Sequence, residues 1–565
     1  MPNKTSPFLC LPGLALLLVG CTHSGQLAAA PSITLTTTAT PTARHPQHRR
    51  QLYLRYPLPQ QPRPRRHQRS NLLPAPHQPL NAPTPTPTPI LPASLFEIPW
   101  EDRSIFKAGL LDSQQSILDK LPGASIYHIN LLIGDNLNLN PRSRSHFLHQ
   151  YGSCPLDDIY FRLFPNLAGG QSRVSDLAVN GQSAEPVYEL RDSALRVPLA
   201  APLPPGESMV IAMDFAVQVP AGEGGNYGAF AFSKDVLALA HVYPMIAVYD
   251  DEGWNVEIAP TVGDVVYADA GFYVVRVTAP AGQTLVASGV EIERNESAMQ
   301  QTVTFAAGPV RDFYLVTSSS YEVVSRVVGQ VTVNSYAPAN LLDGAEVALD
   351  QAAQALEHFN RRFGPYPFTE FDLVGTTNFA LGIEYPGIVA ILLDLYDQAG
   401  QVRGQATPGL LEGVVAHEVA HQWFYSLVGN DQVDEPWLDE ALAQYATILY
   451  YNDVYDEQAG AGFRSSLERR WARVGQADVP IGLPVRDYSV DEYSGIIYGR
   501  GPLFITQLAE TMGQTAFDAF LQDYATTYRW RIATGDDFKR LAQQHCRCDL
   551  TPLFEEWVYP QSSTH

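Results

Sequence analysis

The sequence predicts an α+β protein of more than one domain, an antiparallel all-β domain over 96–335 followed by a mainly helical domain over 336–565. Two observations carry that reading. Between about Ser125 and Ser335, short runs rich in Val, Ile, Tyr and Phe recur between Gly, Pro, Asn and Asp, the pattern of strands and turns. After Tyr336 the apolar spacing changes to three and four residues, the period of helices packed by one face. At 565 residues the chain exceeds one hydrophobic core, and 45% hydrophobic with 17% charged residues is an ordinary globular mixture.

The first element is Lys4 followed by an apolar run, Phe8 to Val19, too short to span a bilayer but of the length of an export-signal core. It ends in LVGC, residues 18–21, which resembles a bacterial lipobox. That resemblance implies removal of residues 1–20, diacylglycerol on Cys21, and a lipoprotein anchored to the cell membrane outside the cytoplasm. A conventional secretory signal with a coincident cysteine is the alternative, and it leads to the same side of the membrane.

Residues 21–95 are dominated by Pro, Thr, Gln, His and Arg and end in PTPTPTP at 83–89, which reads as an extended, disordered tether. At ~3.1 Å per residue its fullest reach is on the order of 200 Å. Lys4 and the eight Arg before residue 70 take nine of the 37 basic residues, leaving 28 against 59 acids, so the part from Phe96 onward carries a formal charge of −31. A basic strap on an acidic body suits an anionic surface, with a solvated linker as the plainer reading. The acidic body argues against nucleic acid as a partner, because phosphate neutralisation needs basic patches. Of five cysteines, Cys10 lies in the signal and Cys21 at the lipid position; Cys154, Cys546 and Cys548 read as structural, with Cys154 able to pair with either of the last two.

In the β-rich region the runs SIYHINLLI (125–133), DIYFRLFPN (158–166), MVIAMDFAVQV (209–219) and FYVVRVTAP (272–280) are predicted strands, preceded by a helix-compatible stretch, Ser104 to Lys120. In the second region DGAEVALDQAAQALEHFNRRFG, 343–364, is a surface helix stopped by its glycine.

Next comes VVAHEVAHQWF at 414–424, on a helix predicted to be capped by Thr407, opened by Pro408 and closed near Gly429. Histidines four apart stand one above the other on a helix, so one cation meets both His417 and His421. A chance HExxH is expected in about one chain of this size in fifty. The following helix, starting near Pro436, brings Glu440 nineteen residues after His421. Requiring that acid lowers the coincidence to roughly one in eight hundred. Two imidazoles and a carboxylate with one open position suit a single zinc ion, which lowers the pKa of its bound water towards ~7. Glu418 stands one position off the histidine face, where it acts as the general base.

HEVAHQW with WLDEA resembles the gluzincin metallopeptidases of the aminopeptidase N and leukotriene hydrolase family. GIEYPGIV at 382–389 is similar to that family's GxMEN signature, and YGRGPLFI at 498–505 to its YEKGA stretch, with Tyr493 five residues earlier. The likeness is specific over about 336–565 and general over the β-rich half. It implies a saddle-like β-domain ahead of a thermolysin-like catalytic domain, with zinc on His417, His421 and Glu440, and Glu418 as base. It further implies Tyr498 at the oxyanion, Glu384 on the substrate's α-ammonium, and Gly382 and Tyr493 as substrate-binding residues. Ile383, Tyr385 and Arg500 depart from the family pattern. The chain also ends where the catalytic domain should finish, so a more open cleft is expected.

The function implied is a zinc aminopeptidase acting on peptides. A zinc endopeptidase with an open cleft is the alternative within enzymes, and a non-catalytic zinc-stabilised peptide-binding protein the alternative outside them. Trp423 and Trp437 read as core residues, and GEGGN at 222–226 as a loop.

Overall fold

The computed structural model describes residues 98–134, 145–149, 155–222, 225–258 and 260–560. The signal, Cys21, the tether and Cys154 lie outside the described residues. Among those described, no helix is long and apolar enough to cross a membrane.

The N-terminal half is built of strands, as its composition predicts. Ser208–Gln218 alternates buried side chains with half-buried or exposed ones along its length, which places Met209, Ile211, Met213, Phe215 and Val217 on one covered face. It belongs to an eight-stranded sheet with spatial order Val290–Glu296, Gln300–Val310, Gly271–Pro280, Ile126–Leu132, Ser145–His149, Ser208–Gln218, Gln171–Val179, Gln182–Ser183. Pairings are antiparallel except between Ile126–Leu132 and Gly271–Pro280, which run parallel. Two four-stranded antiparallel sheets and the two-stranded hairpin Tyr249–Asp250 with Gly253–Trp254 complete this half among the described residues. The single helix expected over 104–120 is instead two 3₁₀ segments, Ser104–Gly109 and Asp112–Asp119. The break has a cause: Leu110 is buried and bridges to Phe368, and the Leu111 amide donates to Pro367, so both residues are drawn into extended geometry.

A five-stranded mixed sheet opens the second half, in the order Tyr321–Val328, Val331–Pro338, Glu370–Thr376, Ile388–Leu392, Gly382–Tyr385. Residue 336 lies within its second strand. The edge strand Gly382–Tyr385 runs antiparallel to Ile388–Leu392, pairing Glu384 with Val389. Against this sheet pack α1 (Leu342–Phe363), whose buried Ala345, Ala348, Leu349, Ala352, Leu356, Phe359 and Phe363 follow the predicted spacing, and α2 (Thr407–Ala420). Gly364, at φ 99°, ends α1 where a side chain would be strained. Then come α3 (Trp437–Val454), α4 (Glu457–Ala472), α5 (Val490–Gly495), a π-helical turn at Ile496–Arg500, α6 (Gly501–Met512), α7 (Gln514–Thr527), α8 (Gly535–Cys546) and α9 (Thr551–Trp557). Trp423 and Trp437 are fully buried in the helical core.

Three details differ from the sequence reading of this half. Thr407 is inside the first turn of α2 and its hydroxyl donates to the carbonyls of Asp397 and Gly400, so it secures the preceding turn instead of capping the helix. The helix ends at Ala420, well before Gly429, because the chain folds back after His421: the Ser426 amide donates to His421 and the Val428 amide to Trp423. Gly429 sits in a two-residue strand paired with Arg531–Ile532. The disulfide joins Cys546 to Cys548, at the end of α8.

One buried side chain ties the two halves. Arg311, 2% exposed, follows the strand Gln300–Val310 and donates to the carbonyls of Tyr425 (2.7 Å), Ala268 (3.0 Å), Leu427 (3.2 Å) and Arg531 (2.5 Å). Tyr425 and Leu427 belong to the turn that follows the HEVAH helix, and Arg531 to the strand paired with Val428–Gly429 just beyond it. The β-rich half thereby holds the base of the helix that carries the histidines.

Candidate metal centre and active site

His417, Glu418 and Val419 occupy the last turn of α2, and His421 is its C-cap. The helix is apolar nearly all round and sits inside the domain, so its polar residues are buried: His421 is 0% exposed, Glu418 4% and His417 8%. Such burial is costly unless each group has a partner or a ligand. The partner comes from the first turn of α3, where Glu440 is 3% exposed. Its Oε2 lies 3.1 Å from His417 Nε2 and 3.6 Å from His421 Nε2, and the two imidazole nitrogens are 3.2 Å apart.

Two nitrogens and one carboxylate oxygen therefore converge within 4.8 Å, the donor set and number of a catalytic zinc site. The tautomer also fits. His421 Nδ1 lies 3.0 Å from the Phe424 carbonyl, which can only accept, so Nδ1 carries the proton and the neutral ring directs the Nε2 lone pair at the cluster. Without a cation the charges are poised against one another. Burial opposes ionisation of Glu440, yet the two histidines hold its carboxyl well below the ordinary range. Burial likewise opposes protonation of His421, but Glu384, Glu440 and Glu418 outweigh it and raise its pKa well above the usual value. His417 is lowered, mainly by burial.

Around this cluster lie the other sequence-predicted residues. Glu418 Oε2 has no hydrogen-bond partner among the described residues, and burial raises its carboxyl well above the ordinary range. Its Oε1 packs on the edge strand at Gly382, where a built Cβ would stand 2.2 Å away, so no side chain fits there. Glu384, on the same strand and 6% exposed, forms a second close group with Glu418 and His421. Its Oε1 accepts from Gln432 Nε2 at 3.1 Å. Tyr498 lies on the π-helical turn, and its hydroxyl donates to Glu440 Oε1. Such turns recur where a helix must re-aim a functional side chain. Tyr493 is buried, with its ring 5.8 Å from that of Tyr498.

Two of the three departures from the family pattern have structural explanations. Tyr385 points into the core and stacks on Tyr314 at 4.0 Å, which leaves Glu384 facing the cluster. Arg500 faces away: it hydrogen-bonds to Asp478 and to the carbonyls of Val479, Glu556 and Trp557, and stacks on Trp557 at 4.9 Å. It pins the C-terminal helix to the turn that presents Tyr498.

Sequence reasoning missed three residues. Gln422 clasps the hairpin that carries Glu384: its Oε1 accepts from the Gly387 amide (2.9 Å), and its Nε2 donates to the Tyr385 carbonyl (3.1 Å). Its position directly after HEVAH was a usable signal. Gln432 bridges Glu384 and Asp439, donating to the latter at 2.7 Å, and Asp264 comes from the β-rich half to stand beside Glu440 and Glu384. Neither carried any signal, because nothing local marks them. Behind Glu384 is a small cavity of about 20 Å³, lined in part by Tyr227, His241, Asp312, Tyr425 and Gln432.

Residues 347–557 match the peptidase family M1 domain. Among curated proteins, the chain is 26% identical over 293 residues to "Probable aminopeptidase 2" of Sulfurisphaera tokodaii, covering 48% of this chain and 36% of the relative. It is 25% identical over 260 residues to "Endoplasmic reticulum aminopeptidase 1" of Homo sapiens, covering 42% and 27%. The matches thus span about a third of these relatives' length. Among solved structures, the M1 zinc metallopeptidase of Deinococcus radiodurans superposes with a TM-score of 0.58 at 21% identity, over 79% of this chain and 95% of that one. That likeness covers both halves and shows the fold.

Proposed function

With a peptidase family M1 domain at residues 347–557 as the premise, we propose that this chain is a zinc aminopeptidase that hydrolyses N-terminal residues from peptides. The observation that carries the proposal is the convergence of His417, His421 and Glu440 beside the partnerless Glu418 oxygen and the Glu384 carboxylate. In this reading His417, His421 and Glu440 would hold one zinc ion, which would supply Lewis-acid polarisation of the scissile carbonyl and activation of water. Glu418 takes the proton of the attacking water at its free Oε2 and passes it to the leaving amine. The Tyr498 hydroxyl donates to the oxygen that becomes negative in the tetrahedral intermediate. Glu384 pairs with the substrate's α-ammonium, which sets one residue upstream of the scissile bond. Gly382 and Tyr493 line the same site. Among the described residues the edge strand that carries Glu384 has no strand paired to its outer side, so an extended peptide can lie along it.

The LVGC stretch supports a further part of the proposal, a lipid anchor at Cys21 that holds the enzyme outside the cytoplasm. A Cys21→Ser protein should then leave the membrane fraction; continued partitioning with membranes removes the anchor.

The test of the reaction is a panel of aminoacyl amides beside matched N-acetylated peptides. Cleavage confined to free amines is expected; equal cleavage of blocked peptides would assign an endopeptidase. Glu418→Gln should retain zinc and lose turnover, and a protein that binds zinc and peptide but never turns over would be the non-catalytic binder. Tyr498→Phe should lower kcat by about 10²–10³-fold with zinc retained.

A further inference from the structure

The five-stranded sheet carries polar side chains on a face where a junction between the two halves calls for apolar ones. Val331–Pro338 and Glu370–Thr376 run parallel with Asn334 opposite Asp372, so Asn334, Tyr336, Glu370 and Asp372 share one face at every second position. The alternate residues Val333, Phe371 and Leu373 belong to the core that includes α1. Facing the polar side are two strands that each end their own sheet, Thr284–Ala287 and Val290–Glu296. Between them the three sheets leave a cavity of about 600 Å³, within the range of roughly 300–1,000 Å³ that ligand sites occupy. None of its lining residues belongs to the metal cluster or to the strand of Glu384.

The floor of this cavity is short of donors. Asp372 is 2% exposed; its Oδ1 accepts from Asn334 Nδ2 at 2.8 Å, and no N–H among the described residues donates to its Oδ2. The half-buried Glu370 carboxyl lies within hydrogen-bonding reach of Asp372 and has no other side-chain partner there, and the Tyr336 hydroxyl beside them has none. Burial, and after it the neighbouring Glu370, hold Asp372 well above the ordinary carboxylate range, and burial raises Glu370 as well. The guanidinium on the cavity wall does not relieve them. Arg294 Nε donates to Glu291 Oε1 at 2.9 Å, and its Nη1 to Gln301 Oε1 at 2.6 Å and Glu296 Oε1 at 3.3 Å. Four carboxyl groups, Glu291, Glu296, Glu370 and Asp372, thus line the cavity against one guanidinium that is already paired. Leu285, Val290 and Phe305 supply an apolar wall.

Asp372 Oδ2, the Glu370 carboxylate and the Tyr336 hydroxyl oxygen are three acceptors, which match the three N–H donors of a primary ammonium. A buried carboxyl pair without a cation is a cost to the fold, and such a group removes it. An anionic group on the same ligand would meet Glu291 and Glu296 and be repelled. We propose that this cavity is a binding site for a small primary amine that bears no carboxylate, its ammonium on Asp372, Glu370 and Tyr336 and its hydrocarbon part on Leu285, Val290 and Phe305. The site is separate from the hydrolytic one and does not rest on the aminopeptidase reading.

The probe is 2-phenylethylamine, titrated by calorimetry into the zinc-loaded full chain. Its ammonium could also meet Glu384, so the reference protein is Glu384→Ala, in which that anchor is gone. Saturable binding there is expected, with Kd on the order of 1 mM or tighter. In that background Asp372→Asn, which keeps an oxygen for Asn334, should weaken binding by about tenfold or more, and Glu370→Gln should do the same at a half-buried position. The N,N,N-trimethyl analogue, which has no N–H, and free phenylalanine, which adds a carboxylate, should each bind weaker by about tenfold or more. Absence of saturable binding to Glu384→Ala overturns the proposal, whether or not the parent takes the amine in its catalytic cleft. An affinity unchanged by Glu370→Gln overturns it too, even where Asp372→Asn fails to fold. Equal binding of the trimethyl analogue would show attraction by charge alone, and equal binding of phenylalanine would show a wall that does not reject anions; either refutes the ligand assigned. No readout here needs hydrolysis, so a protein that binds the amine without turning over any peptide keeps this site and loses only the aminopeptidase reading.

Discussion

Gly382→Ala adds one methyl group at the point where the edge strand meets the base. The Cβ would stand 2.2 Å from Glu418 Oε1 and 2.5 Å from its Cδ. The backbone at 382 is held in register opposite Ile391, so the carboxylate must give way, by on the order of 1 Å to reach a tolerable contact. A misplacement of that size costs about 10²-fold in rate, or about 2.7 kcal/mol in the barrier. Zinc should stay, because no ligand atom is among those the new methyl meets. The assay is kcat and KM on an aminoacyl amide, with bound zinc measured by elemental analysis and folding by thermal unfolding. A parent-like kcat in a zinc-replete, folded variant would refute the packing of Gly382 on the base. Loss of zinc would show that the methyl acts on the ligands instead.

Three further outcomes follow from the structure. Arg311→Met removes the donor to four buried carbonyls and should lower unfolding free energy by at least about 3 kcal/mol, read by urea denaturation; a loss below 1 kcal/mol would mean that the turn after α2 needs no such clamp. Burial raises Glu435 from 4.5 to about 7 against the Gly535 amide bond, so its contribution to stability is present below pH 4.5 and lost as pH rises through about 7. Glu435→Gln should therefore gain on the parent between pH 5 and pH 8, by on the order of 3 kcal/mol at most, and a pH-independent difference in denaturation midpoint would contradict that pKa. Chelation should abolish turnover and lower Tm, with one equivalent of zinc restoring both; recovery that needs two would disprove a single-ion site.

The three candidate metal-ligating residues were legible because the geometry that unites them is local. His417 and His421 share a helix face by virtue of a spacing of four, and Glu440 opens the very next helix. For the same reason α1 and its glycine stop were predicted to within a residue, as were three of the four strands; the fourth, expected over 158–166, spans Leu156–Arg162 and gives way to a 3₁₀ turn at Phe164–Asn166. The helix expected over 104–120 failed where Leu110 found a partner at Phe368, and the predicted end of α2 failed where the chain had to fold back for His421 to reach the Phe424 carbonyl. Each error is a long-range or side-chain bond overriding a local preference.

What the sequence by itself determined is which side chains can serve as donors, since zinc-type chemistry requires those residue types at those spacings. Only the tertiary structure decided how the donors are supported. Gln422 and Gln432 reach across 37 and 48 residues to fix the loop of Glu384, Arg311 reaches across 114 to hold the turn after α2, and Arg470 meets Tyr498 face on. Such contacts leave no periodicity in the chain. They exist because the edge strand, α2, α3 and the π-helical turn are packed around one buried cluster, and the hydrogen bonds and charges there must be satisfied by whatever residues the fold brings within reach.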